Sequence, residues 1–326
     1  MDDKALISVV VPMYYEEEVA EECYRRLKEV MNTAEPNYEL IFINDGSKDR
    51  TLEILKSIAK EDRKVKIIDF ARNFGHQTAV TAGVFNSKGD AVVIIDADLQ
   101  DPPELIIDMI DKWKSGFDVV YAKRKKRNGE TFFKLFTAKC FYKFLSCMSE
   151  IAIPRDTGDF RLMDKKVVEV FKSMPEKNRF VRGMVSWVGF NQSYIEYERD
   201  ERFAGETKYP LKKMLKLACD GIISFSTKPL RAVTKLGTVT IALSLAMLLY
   251  SIIMKLTGGS PINSWTFIME GIIFFSGIQL LSIGILGEYV ARIYDESKNR
   301  PLFIVKDMIN FGEEEKQILK EVKQIS

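Results

Sequence analysis

Asp96 and Asp98 stand one residue apart, with Gln100 two positions further on, at the end of an apolar run. Two carboxylates that close repel unless a cation joins them. A hard divalent ion held by carboxylate, amide and phosphate oxygens suits the pattern. A bare Asp-x-Asp is common by chance, but this one does not stand alone. The run Leu6–Val11 leads into Pro12-Met13-Tyr14-Tyr15-Glu16, and Tyr38–Ile43 leads into Asn44-Asp45-Gly46-Ser47. Asp45 has a plainer reading too, as a cap for the helix after it. The four cysteines (Cys23, Cys140, Cys147, Cys219) show no CxxC spacing, and His76 is the single histidine. A zinc site or a disulfide framework is therefore not expected. His76 follows Gly75 and is expected to pack or cap a helix start, with no part in catalysis.

The elements that must hold these residues are legible. Apolar, β-branched runs at Leu6–Val11, Tyr38–Ile43, Val65–Phe70 and Ala91–Ile95 read as strands. Amphipathic segments at Glu17–Met31, Thr51–Lys60 and about 75–86 lie between them. Strands alternating with helices imply βαβ units and a parallel sheet. The unbroken apolar runs imply burial on both faces. In such sheets ligands sit at the carboxyl ends of the strands, where the acidic residues fall.

PMYYEEE, NDGSKDRT, ARNFGHQTAVTAG and IDADLQDPPELI resemble the motifs of the family 2 glycosyltransferases of GT-A fold. The likeness is greatest to the polyprenyl-phosphate branch, which holds dolichol-phosphate mannosyltransferases and bactoprenol glucosyltransferases. It implies a Rossmann-like α/β domain with a mostly parallel sheet, over residues 1–230. It implies Mg²⁺ or Mn²⁺ held by Asp98 and Gln100 with Asp96. Asp96 and the adjoining Ala97 would also face the nucleotide-sugar, with Pro12, Tyr14, Glu16 and Asp45 lining the nucleoside pocket. Arg124, Arg127, Arg202 and Lys208 would reach the phosphates of donor and lipid acceptor. The catalytic set so implied is Asp98, Asp159, Arg202 and Lys208. Asp159 could steer the acceptor or act as a base. It could equally pair with Arg161 or another cation as a structural element.

The net charge of +2 argues against a general nucleic-acid binder. The average hides an asymmetry. Residues 1–120 hold 15 Lys and Arg against 24 Asp and Glu, whereas residues 121–148 hold 8 against 1. The segment near 131–149 mixes aromatic residues with Lys134, Lys139 and Lys143. It reads as an interfacial helix on an anionic membrane, and 210–226 reads as a second.

Residues 236–254 carry no charge, and 265–287 carry only Glu270. Each is long enough to cross a bilayer as a helix. The turn residues Gly258, Gly259, Ser260 and Pro261 lie between them. The expectation is a two-helix transmembrane hairpin over 231–292, then a tail over 293–326 ending in a short amphipathic helix. Arg231, Lys235, Arg292, Lys298 and Arg300 flank the hairpin, which puts both flanks in the cytoplasm. No basic segment followed by an extended apolar stretch opens the chain, so the front half is also expected there.

The resemblance implies transfer of one sugar, UDP-glucose being the expected donor, to undecaprenyl phosphate with inversion, at the bacterial inner membrane. UDP-GlcNAc, UDP-galactose, an aminoarabinose donor or GDP-mannose are the alternatives. A homo-oligomer is expected by the same likeness. A lipid phosphate, with a second pKa of about 6, arrives ionised and needs no general base. A processive polysaccharide synthase is disfavoured, because a QxxRW motif and additional spans are missing from the sequence. A membrane-tethered nucleotide-sugar binder without turnover is the reading of another class.

Overall fold

A computed structural model describes residues 5–125, 157–198, 226–257 and 264–312. The expected interfacial helix near 131–149, nearly all of the one near 210–226, and the amphipathic helix of the tail lie outside the described residues. So do Arg127, Arg202 and Lys208.

Eight strands form one sheet in the order β7-β5-β6-β4-β1-β2-β3-β8. They are β1 (Ile7–Met13), β2 (Tyr38–Asn44), β3 (Val65–Phe70), β4 (Ala91–Ile94), β5 (Val119–Arg124), β6 (Thr157–Asp164), β7 (Gln192–Tyr197) and β8 (Val305–Ile309). The pairs β1–β2, β1–β4, β2–β3 and β5–β7 are parallel. Strands β6 and β8 run the other way. Every residue of β1, β2 and β4 is buried, which is why those strands read as continuous apolar runs. Pro12 lies where β4 no longer pairs with β1, so its missing N–H costs less there.

The crossovers are α1 (Ala20–Ala34), α2 (Thr51–Glu61), α3 (His76–Phe85) and α4 (Leu105–Lys114). On α1, Ala20, Cys23, Leu27, Val30 and Met31 are buried, the spacing of one helix face. It starts three residues later than Glu17, because the Val19 and Ala20 amides are spent on the Glu16 carbonyl in a turn. Gly83 lets α3 sit close on the sheet. A Cβ there would come within 2.3 Å of Val10 Cγ1.

The second half of the sheet follows a less regular plan. Strand β6 is reversed between β4 and β5, and its Asp164 caps α5 (Lys165–Ser173) by accepting from the Lys166 N–H. Helix α6 (Val181–Val188) then leads to β7. Residues 305–309, which the sequence left without an element, add β8 to the β3 edge. Asn310 then donates to the Ala59 and Val65 carbonyls at 2.7 Å each.

Two long helices precede β8 in the chain: α7 (Lys228–Leu256) and α8 (Ser264–Ser297). They belong to a second compact unit, distinct from the sheet domain. Among the described residues one helical segment, Phe274–Ser297 in α8, is long and apolar enough to cross a membrane. It overlaps the expected second span. The expected first span lies within α7 but does not appear as a second such segment. Leu243 and Leu249 on α7, and Leu280 and Leu281 on α8, are all exposed. Apolar side chains uncovered along a helix suit a lipid environment.

Candidate active site

Three loops at the carboxyl edge of the parallel strands are stitched together. The Tyr15 N–H donates to Ser47 Oγ at 3.1 Å, and the Glu16 N–H donates to Thr51 Oγ1 at 3.0 Å. These bonds tie the loop after β1 to the loop after β2. Tyr15 adopts φ 56°, a left-handed value that costs a non-glycine residue energy. Tyr14 and Tyr15 meet edge-on at 4.6 Å and are partly exposed, so aromatic faces remain open beside Glu16.

Asp45 is buried, and both its oxygens are engaged by the loop after β3. Phe74 N–H donates to Oδ1 at 2.7 Å, while Gly75 N–H and Asn73 Nδ2 donate to Oδ2 at 3.0 and 2.9 Å. Burial raises the Asp45 pKa, against the opposing pull of the Phe74 and Gly75 amides. Asp45 does not cap α2, the helix after it, and instead secures the backbone that approaches α3. Gly46 makes the approach possible. It has φ +68°, and a Cβ there would lie 2.4 Å from the Arg72 carbonyl carbon.

The loop after β4 carries the expected metal set. Asp98 Oδ1 accepts from the Gln100 N–H at 3.1 Å, and Leu99 between them is buried with φ 56°. Ala97 is buried beside them. Asp96 Oδ1 is buried without a hydrogen-bond partner among the described residues. The His76 Nε2 stands 3.4 Å from that oxygen. Burial pushes the Asp96 pKa up and His76 pulls it down. Asp159, Asp101 and Asp98 push it up again, to about 6.

Among the described residues, no three His, Cys, Asp or Glu side chains converge as a metal cluster. Mg²⁺ usually takes only one or two protein carboxylates and completes its shell with substrate phosphate and water. A buried carboxylate oxygen without a hydrogen bond, in a loop with a second carboxylate, fits that habit.

The reversed strand β6 brings Asp159 to this edge. Ile94 pairs with Arg161, so continuing that register sets Asp159 across from Asp96. Asp159 is 3% exposed and crowded with donors. Arg182 Nε donates to its Oδ1 at 2.7 Å, and Arg182 Nη2 and Gln77 Nε2 donate to its Oδ2 at 3.4 and 3.1 Å. His76 Nε2 lies 3.2 Å from Oδ2. Arg161 is not the main partner. Its Nη2 is 3.9 Å from Oδ1, and it spends its donors on the Asp159 and Gly158 carbonyls.

Burial opposes the Asp159 charge, but Arg182 and His76 outweigh it and hold the carboxyl well below the usual range. For His76, burial also opposes charge. Asp96 and Asp159 together win and push its pKa up to about 9. His76 does begin α3, as expected, but it faces two acidic site residues and does not merely pack.

Arg124, at the end of β5, reaches the loop after β4 at Asp101. Its Nε donates to Tyr197 Oη at 3.0 Å and its Nη2 to Asp101 Oδ1 at 3.5 Å. Tyr197 in turn donates to Asp101. Burial and Asp101 both raise the Tyr197 pKa, so the phenol stays protonated. Arg124 retains 30% side-chain exposure and so keeps a face open.

Sequence reading missed Gln77, Tyr197 and Arg182. Arg182 sits in Phe180-Val181-Arg182-Gly183-Met184, which has no chemical signature. Only the placement of α6 brings it to Asp159.

The sequence matches the family described as glycosyl transferase family 2 over residues 8–171. It is 56% identical over 314 residues to the uncharacterized glycosyltransferase YkcC of Bacillus subtilis (strain 168), covering 96% of this chain and 97% of that protein. It is 44% identical over 301 residues to the bactoprenol glucosyl transferase of Shigella phage SfV, covering 92% and 98%. Among solved structures, mannosyl-3-phosphoglycerate synthase from Rubrobacter xylanophilus aligns with TM-score 0.47 at 16% identity, covering 72% of this chain and 75% of that one.

Proposed function

The chain belongs to glycosyl transferase family 2, and on that premise we propose that it transfers one sugar from a nucleotide-sugar to a polyprenyl phosphate. The observation that carries the acceptor is near full-length similarity to a bactoprenol glucosyl transferase. The same likeness supports UDP-glucose as donor and undecaprenyl phosphate as acceptor. Exposed apolar helices in α7 and α8 support a membrane location. In this reading both helices cross the bacterial inner membrane, and the sheet domain and both termini stay cytoplasmic.

The roles rest on the family likeness, with the geometry of the described residues in support. Tyr14, Glu16 and the loop secured by Asp45 line the nucleoside end, with Pro12 at their base. Asp98 and Gln100, with Asp96, would hold a Mg²⁺ or Mn²⁺, which would supply positive charge against the departing diphosphate. Arg124, pinned by Asp101 and Tyr197, turns its open face to phosphate. Arg127, Arg202 and Lys208 supply the other phosphate contacts. A phosphate oxygen of the acceptor bonds to the anomeric carbon as its bond to the diphosphate oxygen breaks, with inversion. The acceptor arrives ionised, so no side chain has to remove a proton. Asp159, already saturated with donors, is not required as a base.

A panel of UDP- and GDP-sugars, each incubated with full-length protein in detergent and undecaprenyl phosphate, tests this reading. Lipid-dependent release of one nucleotide supports it and identifies the donor. Nucleotide-sugar binding with no release from any donor points to a tethered binder and overturns it.

A further inference from the structure

Resting on that reading, we propose that Asp159 is an anchor and not a base, and that the His76 it holds is a positioning residue for the donor half of the site, acting through Asp96. Four observations carry this. Asp159 takes donors from two helices at once: His76 and Gln77 at the start of α3, and Arg182 on α6. Gln77 closes the clamp, since its Oε1 accepts the Val181 N–H at 2.9 Å while its Nε2 donates to Asp159. The clamp fixes His76 between two carboxylates, 3.2 Å from Asp159 and 3.4 Å from Asp96. Asp96 Oδ1 has no hydrogen bond of its own among the described residues, so the imidazole 3.4 Å away is the neighbour placed to orient it.

A base needs an oxygen open to the proton it takes. Asp159 is 3% exposed and both its oxygens face donors. Its arrangement is that of an outer partner that orients an inner ligand-bearing group. Losing such a partner typically costs about 10- to 100-fold in metal affinity or activity. Asp159 and His76 would form the outer shell, and Asp96 the inner group.

The test is calorimetric titration of UDP with Mn²⁺ into the full-length protein in detergent, with transfer kinetics on the same samples. In His76→Gln, the UDP Kd and the donor KM should rise about tenfold or more, with a single cooperative unfolding transition retained above the assay temperature. In an Asp96→Asn background, His76→Gln should add nothing further. Asp159→Asn should weaken donor binding as His76→Gln does. His76→Gln with an unchanged UDP Kd and donor KM would overturn the proposal. So would loss of kcat in Asp159→Asn with donor affinity intact, the mark of a base. Should Asp159→Asn fail to fold, the His76→Gln and Asp96→Asn pair decides alone. Failure of wild-type protein to bind UDP or any nucleotide-sugar would instead remove the functional reading beneath it.

Discussion

Arg182 and Asp159 are 23 residues apart in sequence, and Arg182 Nε meets Asp159 Oδ1 at 2.7 Å. The contact joins α6 to the reversed strand β6 beside the Asp96 loop. It keeps a buried carboxylate charged, because an ion pair in a low-dielectric site offsets the cost of desolvation only when its geometry is good.

Arg182→Ala should therefore destabilise the sheet domain by about 2–4 kcal/mol, after discounting for the 29% exposure of the arginine side chain. Denaturant unfolding measures it. Arg182→Lys should recover only part, since one ammonium cannot reproduce the two-nitrogen contact. A loss below about 0.5 kcal/mol for Arg182→Ala, the range of an ordinary surface change, would contradict the anchor's energetic role.

The pH dependence of the metal-free protein has a definite sign. The His76 pKa is raised from 6.5 to about 9. Its stabilising contribution is full below pH 6.5 and is lost as pH rises through 9. Asp159 is depressed, so its contribution is present above pH 3.8 and is lost as pH falls towards its lowered value. Asp96 acts the other way. Raised from 3.8 to about 6, its ionisation opposes folding in full above pH 6, and that opposition fades as pH falls from 6 to 3.8. Melting temperature should thus fall from about pH 6.5 to 9, and His76→Gln should flatten that limb. An alkaline limb identical in wild type and His76→Gln would contradict the assignment.

Gly46 should not tolerate a side chain. Gly46→Ala forces a Cβ to 2.4 Å from the Arg72 carbonyl carbon at φ +68°. A cost of about 2–3 kcal/mol is expected from strain and displacement together. Because Asp45 holds the same loop, donor affinity should fall too. Thermal unfolding and UDP titration of one preparation check both effects, and wild-type values in both would contradict the close packing.

Much of this was legible in the sequence, for a physical reason. Strands β1 to β4 are buried on both faces, so their apolar runs announce themselves and the acidic residues after them fall at one edge. Asp96, Asp98 and Gln100 could be found that way. The antiparallel strands β6 and β8 could not, because Thr157–Asp164 mixes charged and apolar residues and Val305–Ile309 is short and half exposed. Without the reversal of β6, nothing in the sequence brings Asp159 to Asp96. The surroundings of His76 were illegible for the same reason: the two carboxylates beside it are distant in sequence. Asp159 had two open readings, and its contact with Arg182 at 2.7 Å, against 3.9 Å for Arg161, supports the structural one.

Asp98→Ala should lower turnover by at least about 100-fold, the scale of losing one preorganised electrostatic contact in a transition state. The protein should still unfold cooperatively, because Asp98 lies in the loop after β4 and not in a strand of the buried sheet. Near-normal turnover would remove Asp98 from the site.

The central claim is that a sugar moves onto a lipid phosphate. Mass spectrometry of the lipid fraction tests it most directly, after full-length protein in detergent is incubated with undecaprenyl phosphate, UDP-glucose and Mg²⁺ or Mn²⁺. The expected result is a new species heavier than the acceptor by one hexose residue, missing with EDTA and with Asp98→Ala. Donor consumed with no sugar on the lipid, or a product unaffected by Asp98→Ala, would contradict it.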